Sequence, residues 1–207
     1  MSNSMMQALA LFEMSISCAL ILIWLLQKLT QQTFSFWPKL ILLIIFGSLL
    51  FWPLGLSLEL PLAAYVRGIT GDFSIATTLL LWSTLLPNHK TTPSLLKLGI
   101  VMIALGFYPF ALGLGMVDPY AWGYGSSVFL IAVLAFALLC GLANWTKGVW
   151  IIGMAIIAWS AHWHESSNLW DYLLDPMLVI WAIASLLTSW MQQRQEKARA
   201  GYLFRPG

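Results

Sequence analysis

The chemistry this sequence can offer rests on Glu13, Arg67, Asp72, His162, His164, Glu165, Asp171 and Asp175. Carboxylates within or beside apolar segments are costly and normally face a bundle interior or a wet cavity. Glu13, Asp72, Asp171 and Asp175, with Arg67 among them, therefore form a candidate proton, cation or anion site. Asp171 and Asp175 are four residues apart, hence on one helical face; two anions so placed repel unless a cation, metal or proton stands between them. The preferred reading makes Asp171 the cap of the helix that follows, where a carboxylate is favoured, and buries Asp175 beside Pro176. Arg67 is the natural counter-ion, because its guanidinium holds a carboxylate or phosphate with paired hydrogen bonds. A structural pair with Asp72, Glu59 or Asp175 is expected ahead of an anion site for a lipid phosphate.

His162-Trp163-His164-Glu165 is the second candidate. Imidazoles act as acids or bases near neutral pH and, completed by Glu165, can ligate Zn, Cu or Ni. Residues two apart do not share a helix face, so both histidines ligate only where the helix has ended. An interfacial loop is the expected reading, and no metal or other cofactor is expected. Familiar catalytic patterns fail. The stretch from His164 to Asn168 lacks the second histidine of H-E-x-x-H, and Gly123-Tyr124-Gly125-Ser126-Ser127 is not the G-x-S-x-G elbow. His89, His162 and His164 fall in loops or at helix ends, which does not suit a haem held between helices. Cys18 and Cys140 are expected to stay unpaired.

The elements that position these groups follow from composition. Of 207 residues, 60% are hydrophobic and 9% charged, with a mean hydropathy of +0.82, against about 25% charged in a soluble domain. In hydrocarbon every backbone polar group must be satisfied internally, which leaves helices or closed barrels. Barrel strands alternate apolar and polar residues, whereas residues 40–46 and 128–139 are continuous apolar runs. The expected fold is an all-α polytopic transmembrane bundle, one transmembrane domain over 1–207. Seven helices are read at about 9–27, 39–58, 73–86, 95–116, 126–145, 147–163 and 172–191, followed by a basic tail, 192–207. Bends are expected near residues 52–55 and at Pro109. Residues 59–72 are too apolar for a simple loop and too short to span, so they lie at the interface or dip into the bundle. Glycines at 106, 113, 115, 148 and 153 are read as permitting close helix packing.

Labelling the loops alternately puts nine of the ten basic residues on one side: Lys28, Lys39, Lys90, Lys97, Lys147, Arg194, Lys197, Arg199 and Arg205. Seven of the eight acidic residues, with Arg67, fall on the other. Lys/Arg bias in short loops sets orientation, so the N-terminus is expected outside and the C-terminus in the cytoplasm of a bacterial-type inner membrane. Tyr120, Trp122, Trp163 and Trp170 then belong to an outer aromatic belt, and Trp37, Trp145 and Trp190 to an inner one. No basic region precedes the first apolar run, which disfavours a cleaved signal peptide. A net charge of +2 gives no reason to expect nucleic acid. The expected partners are membrane lipids and a membrane or periplasmic protein. Three functions fit: first a non-catalytic accessory or assembly subunit with an acidic outward-facing site for a partner or lipid headgroup. Second is a small proton- or cation-coupled transporter using Glu13 and Asp175. Third is an enzyme of envelope lipid or glycan chemistry using His162 or His164.

Overall fold

The computed structural model describes residues 3–55, 59–86 and 92–203; His89, Lys90, Arg205 and the end of the segment 39–58 lie outside them. The described residues are helical, without strands. The elements are α1 (Asn3–Thr30), α2 (Phe36–Phe51), α3 (Leu62–Thr70), α4 (Ile75–Trp82, tightening into a 3-10 turn over Ser83–Leu85), α5 (Ser94–Ala111), α6 (Ser127–Leu142), α7 (Thr146–Ser160), α8 (Trp170–Leu173) and α9 (Pro176–Leu203).

Three helical stretches, Met5–Thr30, Ser94–Ala111 and Trp170–Arg199, are long and apolar enough to cross a membrane, consistent with a multi-pass membrane protein. Four shorter apolar helices accompany them, Phe36–Phe51, Ile75–Leu85, Ser127–Leu142 and Thr146–Ser160. The outward faces are apolar: Ile131 and Leu138 of α6 are each 65% exposed and Leu105 of α5 is 64% exposed. An all-round apolar helix marks a fully buried or lipid-facing position; lipid is the solvent that suits this surface.

Helix ends follow local chemistry. Pro53 forbids the α region to the residue before it, so Trp52 is extended and α2 stops at Phe51 instead of bending on to 58. Gly71, at φ 73°, closes α3. Ser74 caps α4 by accepting the Thr77 N–H at 3.1 Å. Pro109 lies in the last turn of α5, and Gly113, at φ 87°, follows its end at Ala111, five residues short of the expected 116. The helix expected over 172–191 begins only at Pro176, the first-turn position proline prefers, and α9 runs on through the basic tail. There the Arg194 guanidinium stacks on the Trp190 ring, 3.8 Å from its centroid.

Helix α4 lies centrally, packing against α1, α7, α8 and α9, while α1 also holds α2 and α3, α5 holds α9, and α6 holds α7. Three glycine expectations are corrected. A Cβ on Gly106, Gly113 or Gly153 would meet open space, whereas one on Gly148 would fall 2.0 Å from the Trp145 ring. Trp145 is buried against the core at the turn between α6 and α7, and Gly148 is the recess that admits its indole. Cys18 and Cys140 are both free.

Candidate functional site

The acidic residues meet where α1, α3 and α4 adjoin the segment joining α7 to α9. That segment starts as α7 ends: His162 takes φ 49°, a left-handed conformation that stops the helix. The next residues turn inward. Trp163 Nε1–H donates to the Glu13 carboxylate, and His164 Nε2 lies 3.2 Å from Glu13 Oε2. Glu13 is not one turn into its helix but about three, because α1 begins at Asn3. His164 is buried, stacked on Tyr172 with ring centroids 5.0 Å apart. Its backbone N–H donates to the Tyr172 hydroxyl at 3.1 Å, and that hydroxyl donates to Ser166 O at 2.9 Å.

Asp171 accepts from Ser166 Oγ at 2.5 Å and from the Tyr120 hydroxyl at 2.9 Å. Burial first, and donation to Asp171 second, push the Tyr120 phenol above its ordinary value. Asp171 does not cap the long helix. It belongs to the short α8, and Leu174 is extended between α8 and α9, so Asp171 and Asp175 do not share one helix face as their spacing suggests. The cap is Asp175: Oδ1 accepts the Leu178 N–H at 2.7 Å, and Oδ2 accepts the Ser74 N–H of the α4 cap at 2.6 Å. One carboxylate thus ties the starts of two helices together.

Arg67 and Asp72 pair through two hydrogen bonds, Nε to Oδ1 and Nη2 to Oδ2, the second at 2.9 Å. Arg67 Nη2 also reaches Glu165 Oε1 at 3.5 Å. The hydrogen bond to Asp72 raises the guanidinium above its ordinary value. Of the three partners expected for Arg67, Asp72 is the one it takes, and Glu165 is an addition the sequence did not suggest.

A cavity of about 470 Å³ opens beside this network, lined by Asp72, Asp171, Asp175, Tyr108, Tyr120 and His164. Glu13 lies behind it, paired with His164, and the Tyr108 hydroxyl is buried without a hydrogen-bond partner. Asn168 braces the rim, its Nδ2 donating to Tyr120 O and its Oδ1 accepting the Trp170 N–H, both at 2.9 Å. Tyr108, Ser166 and Asn168 were not singled out from the sequence, and Tyr120 was read only as part of an outer aromatic belt. Their one signal was polar character beside Pro109, Pro119 and Asp171, and such residues are commonly ordinary loop or boundary groups.

His162, His164 and Glu165 do not converge. His162 is exposed and Glu165 turns to Arg67, and among the described residues no group of three His, Cys, Asp or Glu could hold a metal. The two histidines are therefore separable. His162→Ala is expected to leave thermal unfolding in detergent within about 0.5 kcal/mol of the parent. His164→Ala removes a buried ring and the Glu13 contact and is expected to cost about 2–3 kcal/mol; equal midpoints for the two variants would contradict this. Compared with protein-family models, curated proteins and solved structures, the chain finds no match.

Proposed function

We propose that the chain is a seven-span protein of a bacterial-type inner membrane, acidic end outward and basic end cytoplasmic, serving as a non-catalytic accessory or assembly subunit. Its outward cavity takes a cationic group, the lysine or arginine of a membrane or periplasmic partner or the ammonium of a lipid headgroup. The observation that carries this reading is the state of the carboxylates. Glu13, Asp72, Asp171 and Asp175 each accept hydrogen bonds from elsewhere in the chain, which holds their oxygens in position. Asp72, Asp171 and Asp175 line the cavity, and Arg67 pairs with Asp72 while His164 pairs with Glu13 behind it. A preorganised negative cradle in low dielectric favours a cation. The unpartnered Tyr108 hydroxyl supplies a further acceptor.

The test is a tagged full-length chain taken from native membranes in mild detergent, with mass spectrometry of whatever co-purifies in fixed proportion. A stoichiometric protein partner or amine-headed lipid is expected. The informative variant is Tyr108→Phe, which removes only the hydroxyl: an unsatisfied buried hydroxyl costs about 1–3 kcal/mol, so this variant is expected to fold as well as the parent or better while co-purifying less partner. A chain that purifies alone in both forms, with no amine-headed lipid retained, would overturn the reading.

A further inference from the structure

Two residues that the sequence places at the basic-side ends of helices, Lys97 and Lys147, line a second cavity of about 380 Å³ between α4, α5, α7 and α9. Lys97 is only 8% exposed. Its Nζ donates to Ser185 Oγ at 2.6 Å and lies 5.8 Å from the centre of a Trp181 ring. Lys147 Nζ donates to Ser83 Oγ at 3.2 Å. All eight acidic residues of the chain fall among the described residues, and none of these forms an ion pair with either ammonium. The acidic cradle lies elsewhere: Ser185 is ten residues beyond Asp175, roughly 15 Å along α9.

Hydroxyl oxygens solvate an ammonium without neutralising it. Lysines are almost never fully buried unless paired, and an uncompensated buried charge is strongly unfavourable. Two of them facing one cavity repel each other as well. Among the described residues no carboxylate supplies the missing negative charge. We infer that Lys97 and Lys147 bind a phosphoryl group, with a lipid phosphate as its first source. A phosphomonoester carries nearly two negative charges near neutral pH and several strong acceptor oxygens, which matches two ammonium groups and the neighbouring hydroxyls of Ser83, Thr92 and Ser185. Much of the remaining wall is apolar, and an adjoining cavity of about 490 Å³ with an almost wholly apolar lining shares Leu80 and Leu178 with it. A headgroup and its chain therefore find chemically distinct compartments side by side. This inference is independent of the acidic cavity and its proposed partner.

The test uses the full chain in detergent, read by thermal unfolding and by native mass spectrometry, with phosphatidic acid, phosphatidylcholine and inorganic phosphate as probes. Phosphatidic acid is expected to stay bound and to raise the unfolding midpoint, and phosphatidylcholine to do neither. A rise with inorganic phosphate equal to that with phosphatidic acid supports the same lysine site and gives it a soluble phosphate; a rise with the lipid alone gives it a lipid phosphate. The Lys97→Met, Lys147→Met double variant removes the buried Lys97 charge and the half-buried Lys147 charge. It is expected to unfold at a higher midpoint than the parent when no anion is added, and to bind phosphatidic acid at least about tenfold more weakly. A parent indifferent to both phosphate probes overturns the inference whatever the variant does, and so does a folded double variant that binds phosphatidic acid as tightly as the parent.

Discussion

Asp175→Ala is expected to lose the acidic cavity and much of the protein's stability together, at a cost of about 3 kcal/mol. Two losses add. The α9 cap contributes about 1–2 kcal/mol, and the buried Ser74 N–H, deprived of Oδ2, is left unsatisfied at about 1–3 kcal/mol. Asp175→Asn separates them. Its carboxamide oxygen can still accept from Leu178, because asparagine is also a good cap, but its NH2 group then faces the Ser74 N–H, donor against donor. The asparagine variant should therefore fall between parent and alanine variant when the fraction surviving heating is measured by size-exclusion chromatography in detergent. Parent-like survival of the alanine variant would show that the two helix starts are held by something else. The same experiment bears on ion coupling. Asp175 uses both oxygens to join the starts of α4 and α9, so a substitution that spares the fold while removing the charge isolates its part in any coupling.

Why the sequence pointed to Asp171 as the cap is instructive. Tyr172, Leu173 and Leu174 are apolar and continue the pattern of the following run, so periodicity extends the helix back to 172. Pro176 was the better signal, since proline prefers the first helical turn and leaves the preceding residue extended or capping. The helical class itself was legible because continuous apolar runs with few charges admit little else. Residues near run ends were the weak point. Lys97, between Leu96 and Leu98, reads as a boundary charge, yet it faces Ser185 on a helix distant in sequence. Gly106 and Gly148 look alike on the page, but only the second receives a neighbouring ring. Burial and partner choice are tertiary properties, and a single chain's spacing does not encode which helix arrives opposite. The ion pair of Arg67 and Asp72 was within reach because five residues separate them; the Glu13–His164 contact spans 151 residues and left no local trace.

The largest effect outside the carboxylates is expected at Gly123, in the turn between α5 and α6. A Cβ there would fall 1.6 Å from Asn168 Oδ1 and 2.5 Å from its Cγ, so Gly123→Ala cannot be accommodated without moving Asn168. That side chain cannot yield freely. It is fully buried, its Nδ2 is held by Tyr120 O and its Oδ1 by the Trp170 N–H, and the Leu169 N–H donates to Gly123 O at 3.0 Å. Overpacking alone costs about 1–3 kcal/mol, and rupture of the bonds it displaces brings the total to about 3–4 kcal/mol. The damage is directional. Tyr120 and Asp171 sit on the two segments that Asn168 joins, so separating them breaks the 2.9 Å Tyr120–Asp171 bond and unseats one wall of the cavity. Gly123→Ala is therefore expected to lower the unfolding midpoint and to abolish partner retention. The Gly123→Ala, Asn168→Ala pair, which opens room for the new methyl, should regain part of the midpoint without the retention. A single variant with parental midpoint and parental retention would mean that the two segments are not locked together, and that the cavity wall is held by Asp171 and Ser166 alone.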